Sequence, residues 1–248
     1  MLMIKHERYD AVLFDLDGVL TDTAQIHASS WKRMFDEYLQ IRARHAGEAF
    51  RPFDIATDYP LHVDGKPRYD GVRDFLHARR IDLPEGSPED APGTETVCGL
   101  GNRKNELVNA AIAAGGVKTF PASVALVRRL RENGIKCAVV TSSRNLAAVL
   151  EAAGIADLFD AMVDGNTITA LGLAGKPAPD AFLQAAKALG AAPERAVVVE
   201  DALSGVEAGA KGRFGLVIGV ARHGDGEQLK QHGAHLVVAD LEELIDRT

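Results

Sequence analysis

Cysteine is scarce in this sequence: Cys98 and Cys137 are the only two in 248 residues. That count excludes a disulfide framework and makes a reducing compartment the expectation. Cys137 lies within an apolar run, where a thiol acts as a small buried hydrophobe. Long apolar runs are also lacking, and none approaches the roughly 20 residues that cross a bilayer. The opening MLMIKHERYD has no apolar stretch of signal-peptide length. An excess of positive charge is missing too. The formal net charge of −7 disfavours a nucleic-acid partner, whose phosphates it would repel. These absences predict a cytoplasmic chain with no nucleic-acid or membrane partner. A monomer or weak dimer is the expected assembly. A small anionic substrate stays compatible, provided that its site carries positive charge of its own.

What is present is ordinary for a soluble globular protein: 46% hydrophobic and 25% charged residues. Short runs rich in Val and Ile recur as YDAVLF, IKCAVVT, RAVVVED, FGLVIGV and AHLVVAD. Between them SRNLAAVLEAAG, PDAFLQAAKALG and ALSGVEAGAKG carry apolar residues at helical spacing. Near-continuous apolar strands alternating with helices predict an α/β fold, a doubly wound, Rossmann-like parallel sheet covered on both faces. Pro179 suits the first turn of its helix and Gly190 the position just past the end. The stretch 24–116 differs. It has little strand signal and contains HASSWKRMFDEYLQI, YDGVRDFLHARR and NRKNELVNAAIAAGG, with the acidic connection LPEGSPEDAPGTE before the last. The expectation is an α/β core of residues 1–23 and 117–248, interrupted by a helical domain of residues 24–116.

In open parallel sheets, ligands bind beyond the carboxyl ends of the strands. At those ends stand Asp15 and Asp17, then Thr141 followed by Ser142, Ser143, Arg144 and Asn145, and finally Glu200 and Asp201. The loop LAGKPAPD places Lys176 just ahead of a helix. Taken singly, each has a plain role as a loop residue, a helix cap or a solvated lysine. Together they bring the carboxylates of Asp15, Asp17, Glu200 and Asp201 to one sheet edge, where their repulsion calls for a divalent cation. Ligands that are all oxygen suit Mg²⁺ rather than Zn²⁺. Such a group fits phosphoryl transfer: a carboxylate attacks phosphorus, a hydroxyl and an ammonium stabilise the transferring oxygens, and a second carboxylate moves the proton.

DLD (Asp15, Asp17), VVTSS (Thr141), GKPAPD (Lys176) and VVVED (Glu200, Asp201) resemble, in order, the four motifs of the haloacid dehalogenase superfamily. The resemblance implies that Asp15 is the phosphorylated nucleophile, with Asp17 as acid/base. Thr141 and Lys176 would then be the phosphate holders. Asp15, the Asp17 carbonyl, Glu200 and Asp201 would form the Mg²⁺ site. A second aspartate at the position of Asp17 is the mark of its phosphatases and phosphomutases. FDLDGVLTDTAQIHASSWK, with Thr23, His27 and Trp31, and TSSRN, with Ser143 and Asn145, are similar to the β-phosphoglucomutase group. DGKPR, ending at Arg68, falls where that group has a cap loop with a phosphate-binding arginine, and RKN (Arg103 to Asn105) resembles its active-site cap helix. The resemblance implies a helical cap, substrate contacts from Arg68, Lys104, Asn105, Ser143 and Asn145, and a catalytic part for His27 through Lys104 or the Asp17 loop. The expected reaction interconverts β-D-glucose 1-phosphate and glucose 6-phosphate through glucose 1,6-bisphosphate. The alternative is a sugar-phosphate phosphatase. The loop VDGKPRYDGV departs from the group's usual small-residue turn, and Pro67 stiffens it.

Overall fold

A computed structural model describes residues 3–115, 117–222 and 224–245. In chain order the elements are β1 (Ala11–Phe14), α1 (Ala24–Ala46), α2 (Arg68–Ala78), α3 (Val97–Gly115), α4 (Pro121–Glu132), β2 (Lys136–Val140), α5 (Leu146–Ala152), β3 (Ala161–Val163), α6 (Gly165–Leu171), α7 (Asp180–Leu189), β4 (Ala196–Glu200), α8 (Leu203–Lys211), β5 (Leu216–Val220), α9 (Gly226–Gln231) and β6 (Leu236–Val238). The chain divides into two compact units, Met1–Asp22 with Val117–Thr248, and Thr23–Gly116. The second starts one residue before the domain boundary drawn from sequence.

The first unit is built on a six-stranded sheet of order β3-β2-β1-β4-β5-β6, parallel throughout. The order reverses at β1, so β1 and its neighbours β2 and β4 flank the crevice where such sheets bind ligands. AVLF in β1 and AVVVE in β4 are buried along their whole length, as strands covered by helices on both faces must be. Alanines of α7 pack with Leu13, Val198 and Phe182 in one apolar cluster that carries the sheet. Gly190 closes α7 at φ 69°, in the left-handed conformation that glycine adopts without strain.

The sequence reading differs from this at β3 and Pro179, and it names no helix for α4, α6 or α9. β3 is a sixth strand that the sequence reading does not contain; at three residues, with Met162 40% exposed, it lacks a sustained apolar run. Pro179 stands one residue ahead of α7 rather than in its first turn.

The second unit is helical and owes its core to aromatics. Phe35, Phe53 and Phe75 pack with centroids 4.1–5.2 Å apart, and Trp31 stacks on Phe35 at 5.4 Å. Arg68, expected on a loop, is the first residue of α2. Pro67 before it is extended (φ −54°, ψ 139°) and ends the incoming segment, so the helix begins at the arginine. Both cysteines are buried and unbonded, and burial pushes the Cys137 thiol up to about 12. No helix among the described residues is long and apolar enough to cross a membrane.

Candidate active site

β1 runs through the middle of the sheet and delivers Asp15 at its carboxyl end, where the backbone N–H of Asp15 still donates to Val199 O at 2.9 Å. The turn that follows folds back on itself: Gly18 N–H donates to Thr21 O, and the Thr21 hydroxyl donates to Leu16 O at 3.1 Å. Asp17 sits in this turn, half-buried. Gly18 has φ +85°, and a Cβ there would fall 1.8 Å from Asp201 Oδ2. A glycine is required on both counts, and its absence of a side chain lets the Asp201 carboxylate lie against the turn.

Lys176 joins the acids. Its Nζ donates to Asp15 Oδ1 and to Glu200 Oε1, each at 2.5 Å, and the side chain is 1% exposed. Lys176 follows Gly175 and precedes Pro177 through a cis peptide bond. The other Glu200 oxygen accepts from Ala202 N–H at 2.9 Å. Gly205, in the first turn of α8, makes room for that carboxylate, since a Cβ there would lie 1.7 Å from Glu200 Oε1. Asp15, Glu200 and Asp201 each offer an oxygen, and these lie within 4.8 Å of one another, an all-oxygen group able to hold a cation.

The electrostatics follow from burial. Desolvation drives the Asp15 carboxyl well above the ordinary aspartate range; Lys176 opposes this, while Glu200 and Asp17 add to it. Burial disfavours the Lys176 ammonium, but Asp15 and Glu200 outweigh it and hold its pKa above the ordinary lysine range. The lysine is therefore a fixed cation between two carboxylates.

Thr141 directly follows β2, the neighbour of β1, and is 3% exposed. Its hydroxyl accepts from Ser143 N–H at 3.1 Å, and the Ser143 hydroxyl accepts from Asn145 N–H at 3.2 Å, which shapes the turn into α5. The structure thus brings Asp15, Lys176, Glu200 and Asp201 together. Asp17, Thr141, Ser143 and Asn145 stand on the same carboxyl edge of the sheet.

Within the helical unit, Lys104 Nζ lies 2.9 Å from His27 Nδ1 and 4.9 Å from the centre of the Trp31 ring. The first of the two contacts weighed for His27 is the one formed inside this unit. Arg68 lies over the Tyr69 ring at 5.0 Å, and the Tyr69 hydroxyl donates to Asn102 on α3. Asn105 is on α3, one residue past Lys104.

Sequence reasoning missed Gly18 and Gly205 as residues that shape the site, although Gly18 stands in the quoted first motif stretch and Gly205 in the quoted helical stretch ALSGVEAGAKG. It also missed Arg222, whose Nε donates to Gly18 O at 3.1 Å across 204 residues of chain.

A family model described as haloacid dehalogenase-like hydrolase matches residues 9–213. The curated β-phosphoglucomutase of Mycobacterium tuberculosis is 50% identical over 242 residues, which cover 96% of this chain and 92% of that protein. The β-phosphoglucomutase of Bacillus subtilis is 31% identical over 235 residues, 94% of this chain and 91% of that one. Among solved structures, β-phosphoglucomutase from Clostridium difficile superposes with a TM-score of 0.73 at 26% identity, covering 95% of this chain and 93% of that chain.

Proposed function

The chain belongs to the haloacid dehalogenase-like hydrolase family, and from that premise we propose that it is a phosphomutase that interconverts β-D-glucose 1-phosphate and glucose 6-phosphate. The observation that carries this reading is the 50% identity to a curated β-phosphoglucomutase along nearly the full length of both chains. The buried Asp15–Lys176–Glu200 arrangement supports it chemically, because the Lys176 ammonium beside Asp15 favours the ionised carboxylate that a nucleophile needs.

In the proposed cycle, Asp15 carries the phosphoryl group as an aspartyl phosphate. The sugar 6-hydroxyl of glucose 1-phosphate attacks that phosphorus, the Asp15 O–P bond breaks, and Asp17 takes the hydroxyl proton. The bisphosphate then returns its 1-phosphoryl group to Asp15, and Asp17 gives the proton to the departing oxygen, releasing glucose 6-phosphate. Lys176 and Thr141 hold the transferring oxygens, with the ammonium offsetting the charge that gathers there. Asp15, Glu200 and Asp201, with the carbonyl of Asp17, would hold a divalent cation, for which Mg²⁺ suits the oxygen donors. When bound, that cation shields the anionic nucleophile from the anionic phosphate. Ser143, Asn145, Arg68, Lys104 and Asn105 are assigned to the sugar and its second phosphate, with His27 orienting Lys104.

The test is a product assay with the purified protein, Mg²⁺, β-glucose 1-phosphate and a trace of β-glucose 1,6-bisphosphate. Glucose 6-phosphate without free phosphate is expected, and Asp15→Asn is expected to yield neither. Free phosphate as the main product would replace the mutase by a phosphatase.

A further inference from the structure

The turn that carries Asp17 is held from outside at three successive carbonyls. Phe120 N–H donates to Leu20 O at 3.0 Å, and the buried Ser123 hydroxyl donates to Val19 O at 2.6 Å. The third donor is Arg222 Nε, which reaches Gly18 O at 3.1 Å from the loop after β5. Gly18 is the residue next to Asp17, and its N–H is itself taken by Thr21 O. Gly18, the residue beyond Asp17, is therefore tied through both its N–H and its C=O.

Arg222 differs from the other two donors in carrying charge. Its side chain is 12% exposed, its guanidinium stacks 3.8 Å from the centre of the Phe120 ring, and Nη1 donates to Asp240 Oδ2 at 2.6 Å. Asp240 is fixed in turn: its carboxylate accepts from Glu242 N–H, and its own N–H donates to Glu243 Oε1 in a capping box. Nη2 is buried without a partner among the described residues. A buried guanidinium with one donor unmatched is an expensive way to fasten a turn that a neutral donor would hold. Its geometry makes sense as a strut: Asp240 and Phe120 fix the guanidinium plane, and that plane fixes Gly18 O.

We propose that Arg222 is a positioning residue that holds the Asp17 turn in register with Asp15, so that Asp17 meets the proton of the sugar hydroxyl. This rests on the assignment of Asp17 as the acid/base of the proposed reaction. It predicts a split between two reactions of the same nucleophile. Phosphorylation of Asp15 by acetyl phosphate expels acetate, a leaving group that needs no proton. Transfer between Asp15 and a sugar hydroxyl does need one.

The experiment measures both in Arg222→Gln, Arg222→Lys and Asp17→Asn, using radiolabelled acetyl phosphate and bisphosphate-primed mutase turnover. For Arg222→Gln, labelling is expected within about twofold of the parent. Its turnover is expected to fall about 100-fold, the lower end of what general acid–base catalysis supplies, with KM little changed. Arg222→Lys, which keeps the charge but reaches one partner only, is expected to recover part of the turnover. Parallel loss of labelling and turnover, or loss of neither, would overturn the proposal. If Asp17→Asn shows the split and Arg222→Gln does not, this inference alone fails. If Asp17→Asn loses labelling and turnover equally, the acid/base assignment fails with it. Should Arg222→Gln lose its cooperative melting, Asp240→Asn replaces it, since that variant loosens the strut and leaves Arg222 in place. The same split, smaller than the roughly 100-fold fall in turnover of Arg222→Gln, is then expected, and unchanged turnover counts against the strut.

Discussion

Two buried carboxylates share one ammonium at the carboxyl edge of the sheet: Lys176 Nζ stands 2.5 Å from both Asp15 and Glu200, and the lysine is 3% exposed. Breaking a buried ion pair by removing one partner costs about 3–5 kcal/mol, because the other charge stays behind without compensation. Here Lys176→Met strands two carboxylates at once. The expected result is a loss of about 3–5 kcal/mol at neutral pH, read from urea denaturation in the absence of divalent cations. Part of that loss is recovered on acidification, as one stranded carboxyl takes up a proton. Unchanged stability at neutral pH would mean that the ammonium carries no net share of the balance. Aspartyl phosphate formation is expected to vanish in the same variant, since the cation beside Asp15, the proposed nucleophile, is gone.

At the scale of elements, the amino ends of β1 and β4 are pinned opposite the active edge of the sheet. Asp10 N–H donates to Arg195 O, and the Arg195 guanidinium grips both Asp10 oxygens at 2.6 Å. The Arg195 hydrogen bonds hold the Asp10 carboxyl below its ordinary value of 3.8. A carboxyl lowered in the folded state stabilises the fold fully above its unfolded pKa, and that contribution disappears as the pH falls through the folded pKa. Asp10→Asn is therefore expected to lose up to about 1 kcal/mol at neutral pH, as a partly exposed pair allows. The gap to the parent should close as the pH falls below 3.8. A gap that persists to the lowest pH would show that packing, not charge, joins the two strands. The strands themselves were legible because each long one is a buried apolar run. β3 was not, since three residues with a 40% exposed methionine at their centre make no such run. α4 has Leu126, Val127 and Leu130 buried at helical spacing after Pro121, a pattern present in the sequence but overshadowed by the stronger strand that follows.

For the whole molecule, residues far apart in sequence meet because a parallel sheet brings its strand ends to one edge. Asp15, Lys176, Glu200 and Asp201 were legible on that ground alone, each lying at the end of an apolar run or in the loop before a helix. Arg222 was not, because nothing local marks an arginine whose partner is 204 residues away. The acids gathered at this edge belong to a chain whose formal charge is already −7. A cation therefore has two ways to stabilise the fold, and they are separable. Screening acts on the net charge, depends on ionic strength and needs no site. Binding to the Asp15–Glu200–Asp201 group stabilises by mass action, about 2.7 kcal/mol at a hundredfold excess over Kd. In thermal melts at constant ionic strength, exchanging NaCl for MgCl₂ is expected to raise Tm in the parent. Asp201→Asn removes one of the three carboxylates and is expected to shift the Mg²⁺ response to higher concentration or abolish it. An equal rise in both proteins, with ionic strength fixed, would assign the effect to another site, and would leave the acidic group held by Lys176 alone.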